Sequence, residues 1–137
     1  YDVYGNPVEI VKDKHSTMVR LWSYQGMYPV AEIRNATYQQ VEKALGTLAE
    51  TLPGGWLSDQ VWVTLNSNLR SSVYLKNALV TTYKYKPLVG IIEMIDPRGK
   101  STYYDYDVHG RLKEIYIIEG GIKKLLQENE YKYYNEK

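Results

Sequence analysis

A chain of 137 residues with 17 basic and 16 acidic side chains, formal net charge +1 and no segregation of sign, presents no electrostatic footprint for nucleic acid or an anionic membrane surface. Its 44% hydrophobic and 24% charged residues are ordinary for one globular domain. The absence of cysteine excludes disulfides, thiolate nucleophiles and Cys-based metal sites.

The chain opens at Tyr1-Asp2-Val3-Tyr4-Gly5 without a charged or apolar leader, so any signal or anchor is expected upstream, and no run reaches the roughly 18 apolar residues that span a bilayer. His15 stands with Lys12, Asp13 and Lys14 in a charged loop. Residues 16–24 and 28–34 read as strands around Gln25-Gly26-Met27. The period then changes from two to about 3.6. Tyr38, Val41, Leu45, Leu48 and Leu52 form one apolar stripe that predicts a helix over 37–52. Thr37 and Gln40 give it a capping box, and Pro53-Gly54-Gly55 stops it. Asn35-Ala36-Thr37 has the form of a glycosylation acceptor but reads better as a cap. Val61, Leu65, Leu69 and Val73 predict a second helix, capped by Ser58 or Asp59 and running to about Tyr74, with Trp62 in its core face.

From 78 to 134 short strand-like runs alternate with turn signals: 78–86, 91–95, 101–106, 111–119, and 122 onward through Tyr131-Lys132-Tyr133-Tyr134. Asp96-Pro97-Arg98-Gly99, Asp107-Val108-His109-Gly110 and Gly120-Gly121 reverse the chain between them. Four or five antiparallel strands follow. The expected class is α+β: an antiparallel β-hairpin meander with a two-helix insertion, in one domain divided into hairpins (1–36), helical hairpin (37–74) and meander (78–134). The aromatic usage fits: 15 Tyr, 3 Trp and no Phe imply a half-wet aromatic surface, because a Tyr hydroxyl must reach water or a partner.

The polar constellation Asp105, Asp107, His109 and Arg111 is the one place where acid–base or metal chemistry suggests itself. Its position argues for turn formation instead, with Asp105 and Arg111 paired across a hairpin. No phosphate loop, GxSxG elbow or HExxH is present, so no catalysis, cofactor or metal is expected. The ligand-binding candidates are aromatic: Trp22, Tyr24, Tyr28 and Trp56, whose faces suit sugars or peptides.

Tyr1-Asp2-Val3-Tyr4-Gly5-Asn6 and Tyr106-Asp107-Val108-His109-Gly110-Arg111 match one another, and Tyr85, Tyr106 and Tyr133 recur at spacings of 21 and 27 residues. The unit Tyr104-Asp105-Tyr106-Asp107-x-x-Gly110-Arg111-Leu112 resembles the YD repeat, YxYDxxGRL, of the RHS-repeat family. The stretch from Leu79 to Leu112, with Trp22-Ser23-Tyr24-Gln25-Gly26, is similar to the C-terminal region of long RHS-repeat proteins of Bacteroidota. The resemblance implies a YD-repeat β-ribbon, a secreted or cell-envelope parent, and a noncatalytic structural or interaction module. It implies preceding repeats of the same chain as partners, with a glycan or protein at the cell surface, and exposed sheet edges through which copies pair. The alternatives are a carbohydrate- or peptide-binding module and the end piece of a toxin-encapsulating shell.

Overall fold

The computed structural model describes residues 1–13 and 16–130. Eight strands form one antiparallel sheet in which spatial order is chain order: β1 (Glu9–Asp13), β2 (Ser16–Ser23), β3 (Tyr28–Arg34), β4 (Leu79–Lys86), β5 (Gly90–Ile95), β6 (Ser101–Tyr106), β7 (Leu112–Glu119) and β8 (Ile122–Glu128). Between β3 and β4 lie α1 (Tyr38–Leu45), α2 (Leu48–Thr51), α3 (Asp59–Ser71) and a single 3-10 turn, Val73–Leu75. The class is α+β, a hairpin meander carrying short helices.

The local sequence explains most of these elements and corrects some expectations. Thr37 and Gln40 do form a reciprocal capping box, and Ser58 accepts from Val61 N at the start of α3. The helix expected over 37–52, however, breaks at Gly46, whose φ of 61° only glycine adopts readily. The short α2 then returns Leu48 and Ala49 to the same core, which is why the apolar stripe runs through the break unperturbed. The second helix also stops early: Ser72 is extended and caps the 3-10 turn that holds Tyr74. Lys12 and Asp13, expected in a loop, end strand β1; the strand carries only Ile10 and Val11 as apolar residues, too few to stand out. His15 and the tyrosines at 131, 133 and 134 lie outside the described residues.

The core is one-sided. Val19 and Leu21 of β2, Val30, Ala31 and Ile33 of β3 and Val80 of β4 pack under Val41, Leu45, Trp62, Leu65 and Leu69 of the helices. Each large side chain so buried contributes on the order of 1.5–3 kcal/mol. No side chain of β5–β8 is fully buried; Ile95 of β5 still packs against the core, and among the described residues no helix covers β6–β8.

A polar network also links the two halves. Arg70, in the last turn of α3, donates from Nη1 to Asp96 O (2.8 Å), from Nη2 to Ile95 O (3.0 Å) and Thr82 Oγ1 (3.3 Å), and from Nε to Asn66 Oδ1 (3.1 Å). Thr82, fully buried, donates in turn to Asn66 Oδ1 at 2.7 Å. Arg70→Ala strands two carbonyls and is expected to lower unfolding free energy by about 2–3 kcal/mol, with Arg70→Lys restoring only part because an ammonium cannot fork across four acceptors. Urea denaturation checks this: the midpoint should fall with the slope unchanged.

Candidate functional site

The β2–β3 turn is a strained reversal in which Tyr24, Gln25 and Gly26 all have positive φ. It is held by the turn after α2: Tyr24 N donates to Gly55 O (2.8 Å), Gly26 N to Pro53 O (3.0 Å), and the buried Ser23 hydroxyl to Leu52 O (2.9 Å). This clamp buries Tyr24 although it occupies a turn, and sets Trp56, 56% exposed, edge-on against its ring at 5.5 Å. Tyr28 meets Tyr24 edge-on at 5.5 Å and stacks on Tyr85 at 4.8 Å and 14°. Aromatic pairs in these geometries contribute about 0.5–1.5 kcal/mol beyond area burial.

Beyond Tyr85 the cluster opens into a shallow hollow of about 520 Å³, walled by Tyr28, Tyr85, Ile91, Tyr104, Tyr106 and Leu112 with Leu88 at its lip. Hydroxyls brace the walls: Tyr85 donates to Pro29 O (2.6 Å), Tyr106 to Ile91 O (2.7 Å), and Tyr28 accepts from Leu88 N (2.9 Å). The Tyr106 ring lies so close over Gly90 that a Cβ there would sit 2.5 Å from its hydroxyl, which, with a φ of 152°, requires glycine.

Of the four aromatic candidates, three are brought together and one is not. Tyr24, Tyr28 and Trp56 share the cluster, whereas Trp22 donates its Nε1 to Pro7 O (2.9 Å) and lines a separate hollow of about 220 Å³ with Val8, Arg20 and Tyr38. Tyr85 and Leu88 were not anticipated there, and Tyr104, Tyr106 and Leu112 entered only as repeat residues. The signal that joins them was the 21-residue spacing of Tyr85 and Tyr106, which places both rings on one wall.

The polar constellation resolves into turn structure. Asp107 Oδ1 accepts from His109 N (2.8 Å) and Arg111 N (3.0 Å), and Oδ2 pairs with Arg111 Nε at 3.0 Å, so the arginine pairs with Asp107, whereas Asp105, expected to pair with it across the hairpin, stands opposite Glu114. These bonds, the Arg111 amide foremost, hold the Asp107 carboxyl below its ordinary value. Among the described residues no group of three or more His, Cys, Asp or Glu is placed to hold a metal, and no helix is long and apolar enough to cross a membrane.

No protein-family model matches the chain, and no curated protein matches it.

Desolvation raises the phenol pKa values of Tyr24, Tyr85 and Tyr106, most strongly that of Tyr85, with Tyr83 and Glu32 adding to its shift. The unfolded chain ionises its phenols near pH 10 and so binds fewer protons than the folded state above that point. Stability is therefore complete below about pH 10 and lost as pH rises from there toward the folded values. Tyr85→Phe is expected to flatten that loss; a chemical-denaturation series from about pH 9 to about pH 11.5 reads it directly.

Proposed function

We propose that the chain is a noncatalytic structural and interaction module of a longer YD-repeat polypeptide of the cell surface or secreted space, its hairpins continuing a ribbon built by preceding repeats. The observation that carries this reading is a turn used three times. Around Asp2, Asp96 and Asp107 the same four hydrogen bonds recur: Asp N to the i+4 carbonyl, Gly N to Asp O, and the i+2 and i+4 amides to Asp Oδ1, all between 2.8 and 3.1 Å. Gly5, Gly99 and Gly110 close the turns with φ of 82°, 85° and 77°.

In two of these turns the residue before Asp ends a strand: Ile95 closes β5 and Tyr106 closes β6. Tyr1 holds that position in the third, and the return strand is β1, whose outer edge is unpaired among the described residues. A strand ending at Tyr1 would lie antiparallel along that edge, as β6 lies along β7. An edge so left is a template for another strand. Hydrogen exchange tests the reading: in a longer polypeptide that includes the sequence encoded immediately upstream, the outward amides of β1 should exchange at least about tenfold more slowly than in the 137-residue chain. Equal exchange in the two would refute the continuing ribbon.

A second reading, a carbohydrate- or peptide-binding module, is favoured by the contiguity of Trp56, Tyr24, Tyr28 and Tyr85 with the apolar hollow. Aromatic-lined grooves of this kind dock sugar faces or extended peptides. Trp56 fluorescence, titrated with soluble oligosaccharides and with proline-rich peptides, should then change saturably and cease to do so in Tyr104→Ala. A flat titration across both panels removes this reading.

A further inference from the structure

On one face of the uncovered half-sheet, Asp105, Glu114 and Glu128 stand directly opposite one another across β6, β7 and β8. Like charges facing each other across antiparallel strands destabilise the pairing. Lys123 answers the middle one: its Nζ lies 2.6 Å from Glu114 Oε2 and 4.4 Å above the Tyr116 ring. The Lys123 amine is thus directed along the sheet face, onto the neighbouring strand. Glu128, on the outermost strand, has no cation within ion-pair distance among the described residues.

The register makes β8 complementary to itself. Lys123 faces Ile118 and Glu128 faces Glu114, four residues apart on β7, so the two share a face; Lys124 and Gln127, opposite Ile117 and Ile115, share the other. This holds because Leu126 is an extra residue, a bulge between Leu125 and Gln127. An antiparallel partner strand related by a two-fold axis between Leu125 and Leu126 brings Lys123 opposite Glu128 of the second copy, and Lys124 opposite its Gln127. Facing side chains then lie on matching faces, and each contact occurs twice. Without the bulge the same register would set facing residues on opposite sides of the sheet. Every residue of β8 is exposed, and Ile122, Leu125 and Leu126 add apolar surface to be covered.

We propose that the chain self-associates through β8, in an isologous sheet-extending dimer whose register is set by Lys123 against Glu128 of the second copy. The inference does not rest on the continuing-ribbon reading, which concerns β1 at the opposite edge.

Sedimentation equilibrium of the 137-residue chain at low ionic strength should show a monomer–dimer equilibrium. Lys123→Glu and Glu128→Lys, each retaining the wild-type far-UV circular dichroism, should each weaken dimerisation by about tenfold or more, because both symmetry-related contacts become repulsive. Their equimolar mixture should recover it, since one copy then carries carboxylates at both positions and the other amines. Mixing also separates the interface from the internal Glu114 pair, which Lys123→Glu breaks in either case. A wild-type chain that stays monomeric to its solubility limit overturns the proposal. So does a dimer indifferent to both reversals, or a mixture of variants that stays monomeric.

Discussion

One guanidinium ties the helical layer to the far half of the sheet. The helices cover β2, β3 and β4, and their apolar stripe accounts for the core there; from β5 the half-buried Ile95 packs against that same core. Arg70 adds to this by donating to the carbonyls of Ile95 and Asp96, at the point where β5 leaves the sheet and turns. Desolvation disfavours the charged form of a partly buried arginine, and Asp96 nearby offsets this in part. The turn that carries Asp96 is thus fixed twice, by its own side chain accepting two amides and by Arg70 from the helix.

Beyond β5 no helix among the described residues covers the ribbon, whose stability there rests on cross-strand contacts and turns. Tyr103 stacks on Tyr116 directly across β6 and β7 at 5.3 Å on one face. Tyr104 and Tyr106 occupy the other. Such pairs contribute roughly 0.2–1 kcal/mol each. A ribbon so built stays wet on both faces, which limits how far it extends before another surface becomes favourable.

Much of this was legible in the sequence because local chemistry and global fold agree. Asp-x-x-Gly turns, the Thr37–Gln40 box and the Ser58 cap act through backbone groups a few residues away, and local signals of that kind survive into the structure. The departures have physical reasons. Gly46 breaks α1 while Leu48 and Leu52 remain near the core, so periodicity could not reveal the break. Strand β1 has almost no buried face and left no apolar alternation. The candidate site was harder: Trp22 and Tyr24 are two residues apart, but the β3 bulge at Val30, opposite Leu21 and Trp22, and the left-handed turn at Tyr24 send them to different neighbours. Only long-range pairing brings Tyr85 beside Tyr28, across 57 residues of helix and strand.

The preference for tyrosine over phenylalanine has a structural cause that composition alone could not supply. Bulges interrupt the ladders at Leu21–Trp22 against β3 and at Lys84–Tyr85 against β5. A bulge disturbs the local pairing and leaves carbonyls in need of donors. Pro29, Tyr85 and Ile91 lie at those interruptions, and each carbonyl accepts from a tyrosine hydroxyl: Tyr85 to Pro29, Tyr24 to Tyr85, Tyr106 to Ile91. Phenylalanine would fill the same space and remove that donor from each carbonyl. A typical intramolecular hydrogen bond contributes about 0.5–1.5 kcal/mol, and the phenylalanine ring offers no replacement for it. The tyrosines therefore do two jobs at the bulges, packing one ring against the next and repairing the ladder where it bends, and the aromatic hollow is where those bends converge.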